Sequence, residues 1–296
     1  MRQETLISCR LLSLTMLPIC GTMTEIFPGG TGMTFGFIGS GNMGGAIARA
    51  VCKSVDSGSV VLANRTHSKA AELAAQLGCR AGANEDAAEC DFIFLGVKPY
   101  FMREMLLPLQ SLLAERSGSF VLVTMAAGLT IAQIREMAGG NYPVIRIMPN
   151  TPSAYGAGMI QYCADGVSCE MLQVFLDAME PAGLLDQIHE KLIDAASSVS
   201  GCGPAWACLF IEALADGGVA CGLPRAKAME YAAQMMLGTA KMVLDSGAHP
   251  GELKDAVCSP GGSTIQGVRV LEEQGFRGAV MDAVIAAYEK TKEMGK

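Results

Sequence analysis

Short apolar runs alternate with longer amphipathic stretches through the first half of the chain. Each run is apolar at successive positions, which is typical of a strand buried on both faces of a sheet. These runs lie at residues 34–38, 59–63, 91–97, 119–124 and 143–147. Helices are predicted between them at residues 43–54, 67–77, 100–114 and 130–138. This alternation predicts an α/β domain with a parallel sheet and crossover helices.

A transitional strand–helix unit at about residues 157–185 leads into a second half that is almost wholly helical. Helices are predicted from Ala205 to Cys221, from Leu223 to about Asp245, from near His249, and over residues 263–274 and 276–293. The first of these is apolar on nearly every side, a pattern typical of a buried helix. Because a monomer of this size has too little interior for several such helices, the pattern predicts an all-α domain that interlocks with a second copy.

The first apolar run leads directly into a G-x-G-x-x-G turn, and a helix rich in alanine follows. In a dinucleotide site the first glycine makes the tight turn, the second lets the backbone approach a pyrophosphate, and the third lets the helix lie close to its strand. The helix N-terminus offers N–H groups and a partial positive charge to the phosphates. The turn predicts a Rossmann-type domain that contacts the cofactor through Gly39, Gly41 and Gly44.

The end of the second predicted strand distinguishes the two nicotinamide cofactors. An NAD site carries an Asp or Glu about 20 residues past the glycines for the ribose 2′-hydroxyl, whereas this chain has Asn64, Arg65 and Thr66 there. The Arg65 guanidinium suits a 2′-phosphate, which it can bind with two parallel hydrogen bonds. In an alternative interpretation, Asn64 and Thr66 cap the helix that begins near His67. We expect NADPH to be preferred and NADH to be accepted as well.

These patterns divide the chain into four segments. Residues 1–32 are expected to be either a product of an upstream start or a disordered leader, without a part in the chemistry, because Met33 lies directly before the first strand. Their apolar stretch is interrupted by Arg10 and Pro18 and is too short to span a membrane. The remaining segments are the NAD(P)-binding Rossmann domain at residues 33–157, the transitional unit at 158–190, and the helical substrate-binding and dimerisation domain at 191–296. No contact with a membrane is expected.

The charge, the cysteines and the histidines of the chain limit which partners and ligands are expected. The net charge is −7 and no basic stripe is present, which argues against a nucleic-acid partner. The eleven cysteines include no C-x-x-C pair and mostly lie in apolar runs, so they predict buried thiols, a reducing cytoplasmic compartment and no metal site. The three histidines, His67, His189 and His249, lie at predicted helix starts and are expected to be capping or surface residues.

A glycine-rich segment in the second half has the features of an anion site. Successive amides from Gly261 to Thr264 lead into a helix N-terminus, and the hydroxyls of Ser263 and Thr264 add donors. An ordinary helix start, with Ser259 or Ser263 as its cap, explains the same residues. No histidine or acid–base pair accompanies the segment, and reduction of an already protonated imine is a hydride transfer that needs none.

Six motifs occur in a characteristic order along the chain. They are Phe37-Ile38-Gly39-x-Gly41-Asn42-Met43-Gly44, Val97-Lys98-Pro99, Arg146-x-Met148-Pro149-Asn150-Thr151-Pro152, Ser200-Gly201-x-Gly203-Pro204-Ala205, Glu212-Ala213-Leu214-x-Asp216-Gly217-Gly218-Val219 and Ser259-Pro260-Gly261-Gly262-x-Thr264. In this order and spacing the chain resembles the pyrroline-5-carboxylate reductase family from Met33 to its C-terminus. The resemblance implies NAD(P)H-dependent reduction of L-1-pyrroline-5-carboxylate to L-proline by a homodimer, which in this family often assembles further into a decamer.

The resemblance also implies roles for particular residues. Further cofactor contacts fall on Ser40, Asn42, Met43, Asn84, Val97, Lys98, Pro99, Ala126 and Ala127. Substrate contacts fall on Ser259, Gly261, Gly262, Ser263 and Thr264. The amides of Gly261 and Gly262 would hold the substrate carboxylate, and the hydroxyl of Thr264, the expected catalytic group, would reach the ring nitrogen. Glu190 aligns with another substrate contact.

The chain also departs from the family pattern. The departures are Cys202, Trp206, Ala256 and Ser263, and they bear on substrate and cofactor preference rather than on the reaction. Two other functions stay open at this point, a different two-domain reductase and a dinucleotide sensor without catalysis. No lysine lies between Lys191 and Lys227, which disfavours a hydroxyacid dehydrogenase, and the intact loop at residues 259–264 disfavours a sensor.

Overall fold

The computed structural model describes residues 32–294, so the leader predicted at residues 1–32 lies outside the described residues except for Gly32. The strands are β1 (Phe35–Ile38), β2 (Val60–Ala63), β3 (Arg80–Ala81), β4 (Phe92–Leu95), β5 (Val121–Thr124), β6 (Val144–Met148), β7 (Gly158–Asp165) and β8 (Gly183–Gln187). The helices are α1 (Asn42–Val51), α2 (His67–Leu77), α3 (Asn84–Ala88), α4 (Met102–Leu106), α5 (Gln110–Glu115), α6 (Ile131–Ala138), α7 (Cys169–Met179), α8 (Glu190–Ser200), α9 (Gly203–Ala220), α10 (Arg225–Ser246), α11 (Pro250–Val257), α12 (Ser263–Glu273) and α13 (Phe276–Met294).

All eight strands belong to one sheet, in the order β3-β2-β1-β4-β5-β6-β7-β8. The strands from β1 to β6 pair in parallel, β7 is antiparallel to β6, and β8 is parallel to β7. The five strands predicted from continuous apolar runs are β1, β2, β4, β5 and β6, and every residue in them is buried. The structure therefore confirms the expected α/β Rossmann-type domain followed by helices.

Two hydrophobic cores lie on opposite faces of the sheet. On one face, rings stack between neighbouring strands, with centroids 5.2 Å apart for Phe35 and Phe92 and 4.4 Å apart for Phe37 and Phe94. Phe175 of α7 covers both stacks. Aromatic pairs of this kind contribute roughly 0.5–1.5 kcal/mol beyond the area they bury. The opposite face packs against α3 to α6, so the sheet is covered on both sides.

The structure corrects the prediction of one helix at residues 100–114. It contains α4 and α5, separated by a 3₁₀ turn at Leu107–Leu109. Pro108 lies in that turn, and a proline has no N–H to continue an α-helical ladder. The pattern also missed β3, α3 and β8, because β3 and α3 are very short and β8 is mostly exposed.

One charged side chain is buried within the sheet. Arg146 of β6 is 1% exposed, and its guanidinium pairs with two carboxylates of α8, at 2.5 Å from Asp194 and 3.5 Å from Glu190. Glu190 also accepts a 2.7 Å hydrogen bond from the N–H of Ile131 at the start of α6. These contacts form a joint between β6, α6 and the first helix of the C-terminal half.

The helices after this joint have almost no interior of their own. The only buried residues of α9 to α12 are Ala215, Ala228 and Ala232. Large apolar side chains such as Leu209, at 65% exposure, and Leu244, at 81%, lie on the surface instead. The pattern correctly predicted helices apolar on most sides, but one chain does not bury them.

Part of this apolar surface belongs to a segment whose length and composition would also suit a membrane span. Within residues 32–294, Glu190–Ala220 is the one stretch long and apolar enough to cross a membrane, and it contains both α8 and α9. Helix α8 packs on β7 and α13, whereas α9 packs mainly on α10. An apolar surface of this extent marks a site of association.

Replacing Arg146 with methionine is expected to destabilise the chain, because two carboxylates then lose their cation. Removing one partner of a buried pair costs ~3–5 kcal/mol, and the partial exposure of Glu190 and Asp194 puts the expected loss near ~2–3 kcal/mol. Urea unfolding measures this loss. Arg103→Met, which removes an exposed pair with Glu136, is the matched control and is expected to cost no more than ~1 kcal/mol. Equal losses for the two variants would contradict the role of the joint.

Candidate active site

A cavity of about 980 Å³ opens beyond the carboxyl ends of β1, β2, β4 and β5. Ligands of open α/β sheets bind at this edge, and the volume suits a small-molecule cofactor. Apart from Ser40, Gly44 and Thr66, all the predicted cofactor residues line it. These are Gly39, Gly41, Asn42, Met43, Asn64, Arg65, Asn84, Val97, Lys98, Pro99, Ala126 and Ala127.

Backbone contacts between glycines shape the turn after β1. Gly39 has a φ of +97°, and a Cβ added there would lie 2.8 Å from the carbonyl of Gly96. A Cβ on Gly44 would lie 2.2 Å from the carbonyl oxygen of Gly39. The N–H groups of Gly39 and Ser40 both donate to the carbonyl of Ala63, which ties the turn to β2. Gly44 and Ser40 therefore shape the turn and do not line this cavity.

Gly41 differs from the other two glycines of the motif. A Cβ added there would meet no atom within 4 Å, although the residue faces the cavity. Gly41 is also the N-cap of α1, and no side chain caps this helix. The N-terminus of α1 therefore combines open space in the cavity with backbone N–H groups that no side chain caps. This arrangement fits the pyrophosphate of a dinucleotide.

The segment after β2 forms one end of the cavity. The Asn64 side-chain oxygen accepts a 3.3 Å hydrogen bond from the N–H of Thr66, and Thr66 is the N-cap of α2 without a side-chain cap bond. Asn64 thus shapes the turn before α2, but the N-cap Thr66 makes no capping bond, so the capping alternative is not confirmed. Arg65 lines the cavity. Its guanidinium lies 5.1 Å from the ring centroid of Phe101.

Several cavity residues have no counterpart in the predicted set. Glu85, Phe101 and Glu104 lie on the segments that follow β3 and β4, and Thr151, Ala154 and Tyr155 form the 3₁₀ turn that follows β6. Met294, at the end of α13, also lines the cavity. The strand-end motif at residues 148–152 gave a signal for the turn after β6, whereas the chain has no local signal for the approach of α13.

The predicted substrate loop lies apart from this cavity. None of Ser259, Gly261, Gly262, Ser263 and Thr264 lines it, and all but the half-buried Gly262 are exposed. The N–H of Gly262 donates to the carbonyl of Ser259 at 3.0 Å, and Gly261 has a φ of +69°. This tight turn ends at Gly262, the N-cap of α12, and no side chain caps that helix. A helix N-terminus without a cap is therefore open to an anion.

Glu190 lies at the joint and not in the cavity lining. Its carboxylate contacts Arg146 and the N–H of Ile131. The Cys163 thiol lies beside this joint, and burial, followed by the charge of Glu190, raises its pKa to about 11. Burial also raises the pKa of the Cys52 thiol to about 12. Both thiols are therefore neutral near pH 7, and neither lines the cavity.

In the described part of the chain, the histidines cap or begin helices, and neither they nor the cysteines form a metal site. The Nδ1 atoms of His189 and His249 accept hydrogen bonds from the N–H groups of Lys191 and Gly251, which confirms the expected capping roles. His67 is the exposed first residue of α2. Within residues 32–294 no group of His, Cys, Asp or Glu is arranged to hold a metal ion.

Alanine substitutions are expected to separate the roles of Gly41 and Gly44. Gly44→Ala places a Cβ against the Gly39 carbonyl, so a loss of ~1–3 kcal/mol in the free energy of unfolding is expected. Gly41→Ala meets open space, so the fold keeps its stability while the affinity for NADPH falls at least ~10-fold, or about 1.4 kcal/mol. Thermal unfolding and NADPH fluorescence titration measure the two effects. Wild-type NADPH affinity in Gly41→Ala would contradict this assignment.

Comparison with known proteins covers both halves of the chain. A family model described as pyrroline-5-carboxylate reductase dimerisation matches residues 190–294. A second model, described as NADP oxidoreductase, coenzyme F420-dependent, matches residues 34–128. The first range contains the uncovered helices α9 to α12, and the second contains the glycine turn.

Individual relatives extend over nearly the whole chain. The pyrroline-5-carboxylate reductase of Escherichia coli (strain K12) is 42% identical over 266 residues, which are 88% of this chain and 98% of the relative. The enzyme of Pisum sativum is 39% identical over 88% of this chain and 96% of its own length. A crystal structure of Plasmodium falciparum pyrroline carboxylate reductase with NADP bound matches 90% of this chain and all of its own, with 33% identity and a TM-score of 0.82. The chain therefore belongs to the pyrroline-5-carboxylate reductase family.

Proposed function

We propose that the chain reduces L-1-pyrroline-5-carboxylate to L-proline by hydride transfer from NADPH, the last step of proline biosynthesis, with NADH also accepted. The observation that carries this function is that relatives named for the reaction match both halves of the chain at about 40% identity. We assign the cofactor to the cavity at the sheet edge, which the glycine turn and Arg65 line. Arg65, in place of an acidic residue, supports the preference for NADPH.

The chain's own residues bind and orient the two reactants. The reduced nicotinamide, when bound, supplies the hydride. The uncapped N-terminus of α12 binds the substrate carboxylate, and because the N–H of Gly262 already closes the turn, we assign the carboxylate to the amides of Gly261, Ser263 and Thr264. The Thr264 hydroxyl then holds the ring nitrogen. Ser259 shapes this loop, since its hydroxyl would lie only 2.4 Å from a Cβ on Gly262.

Orientation accounts for the chemistry without a strong general base. The iminium carbon of a protonated imine is already electrophilic, so a fixed distance and angle to the hydride donor lower the barrier. Lys98 is exposed at the cavity edge and serves cofactor binding in this proposal. We assign Glu190 to positioning, because it links α6 and β6 to α8, the helix that leads into the helices bearing the substrate loop.

Two copies of the chain complete the site in this proposal. The substrate loop is exposed and absent from the cavity lining, while α9 to α12 present an uncovered apolar surface. Burying that surface against a second copy covers the apolar side chains and brings the partner's loop to the cavity. The basic assembly is a homodimer, from which larger assemblies such as a decamer can be built.

We also assign the protein to a reducing, cytoplasmic compartment. The nine cysteines within residues 32–294 are all free, and no disulfide links any of them. Free cysteines in this number are typical of proteins kept in a reducing compartment.

The reaction is tested by following NADPH oxidation at about 340 nm with L-1-pyrroline-5-carboxylate as substrate. Thr264→Ala is expected to lower kcat/KM by a factor that corresponds to ~1–3 kcal/mol, because one oriented hydrogen bond to the substrate is lost. Thr264→Ser keeps the hydroxyl and is expected to retain most of the activity. Unchanged kinetics in Thr264→Ala would contradict its assigned role, and absence of substrate-dependent oxidation in the wild type would overturn the function.

Mixed dimers test whether the partner supplies the loop. Gly41→Leu blocks the cofactor cavity and Thr264→Ala weakens the substrate loop, so each variant alone is impaired at both sites of its homodimer. If each site combines the cavity of one chain with the loop of the other, a mixed dimer regains one intact site, and a statistical mixture recovers about a quarter of wild-type activity. Activity equal to the mean of the two parent variants would show instead that each chain uses its own loop.

A further inference from the structure

The end of the cavity that contains Arg65 is built around an aromatic side chain. The guanidinium carbon of Arg65 lies 5.1 Å from the ring centroid of Phe101, within the range of a cation–π contact. Both residues line the cavity. Arg65 comes from the segment after β2 and Phe101 from the turn after β4, so the contact joins two strand ends.

Arg65 has no other fixed partner in the described part of the chain. Its side chain takes part in no hydrogen bond or ion pair there. Glu85 and Glu104 line the same cavity, yet neither forms an ion pair with it. The cation–π contact holds the guanidinium without using its N–H groups, because the attraction comes from the ring face. All five donors thus stay available to a ligand.

The backbone holds Phe101 firmly in place. It ends the 3₁₀ turn Pro99–Phe101, in which its N–H donates to the carbonyl of Lys98 at 2.9 Å. Pro99 fixes the backbone at the start of the same turn. The ring of Tyr100, 73% exposed, contacts the Phe101 ring with centroids 4.5 Å apart, but Tyr100 does not line the cavity. Phe101 is therefore anchored to the loop after β4, which bears three predicted cofactor contacts, Val97, Lys98 and Pro99.

We propose that Phe101 is a positioning residue for cofactor choice, which holds the Arg65 guanidinium where it binds the 2′-phosphate of NADPH. A carboxylate in this place would hold Arg65 equally well, but it would occupy the donors and repel the phosphate. An aromatic ring holds the cation and leaves its donors free. The inference rests on the proposed use of NADPH, and it adds a residue that determines the preference.

Binding of two nucleotide fragments tests this role apart from catalysis. Isothermal calorimetry compares 2′,5′-ADP, which carries the 2′-phosphate, with 5′-AMP, which lacks it. Phe101→Leu keeps an apolar side chain but removes the ring face, so the ratio of the two affinities is expected to fall about three- to tenfold. Phe101→Tyr is expected to retain the ratio, and so is Tyr100→Leu, the matched control on the neighbouring aromatic residue.

A double-mutant cycle shows whether Phe101 acts through Arg65. In an Arg65→Ala background, Phe101→Leu is expected to change the affinity ratio less than twofold, because the group it positions is gone. Equal losses for the two fragments in Phe101→Leu, or independent effects of the two substitutions, would overturn the proposal. A wild-type protein that binds both fragments equally would overturn the NADPH preference as well. The reaction itself is judged separately, by oxidation of NADPH or NADH with the imine substrate.

Discussion

The apolar surface of α9 to α12 is the constraint on which the rest of the structure depends. Almost nothing in these helices is buried within one chain, and side chains as large as Leu209 and Leu244 face outward. Leaving such a surface in water is costly at ~25 cal/mol per Å² of apolar area. Self-association, which the match to a dimerisation model supports, removes that cost. Self-association therefore stabilises this half of the chain.

The same constraint connects assembly with chemistry. The proposed substrate loop lies on the uncovered helices, while the cavity lies at the edge of the sheet. The orientation of the C-terminal helices relative to the sheet requires a firm connection, and the buried Arg146 provides one by joining β6 to the carboxylates of α8. The positive charge of Arg146 is tolerated in this buried strand because two carboxylates of α8 pair with it.

The parts of the fold that could be predicted have strong local signals. Continuous apolar runs identified β1, β2, β4, β5 and β6, and the glycine turn identified the start of α1. Pro108 was a visible signal for the break between α4 and α5, although the apolar periodicity around it suggested one helix. The short β3 and α3 had no such signal, because a few residues cannot establish a period.

The sequence by itself determined the dinucleotide turn, because Gly39 and Gly44 are close in the chain and the Gly39 carbonyl leaves no room for a side chain at Gly44. It also determined that the helices after residue 203 are too apolar to stand alone in water. Only the tertiary structure decided that Arg65 faces Phe101, that Glu190 faces Arg146, and that the predicted substrate loop lies outside the cavity. Turn geometry follows from sterics between near neighbours in the chain, which spacing records. Contacts between distant strand ends follow from how the whole sheet and its helices pack, which spacing does not record.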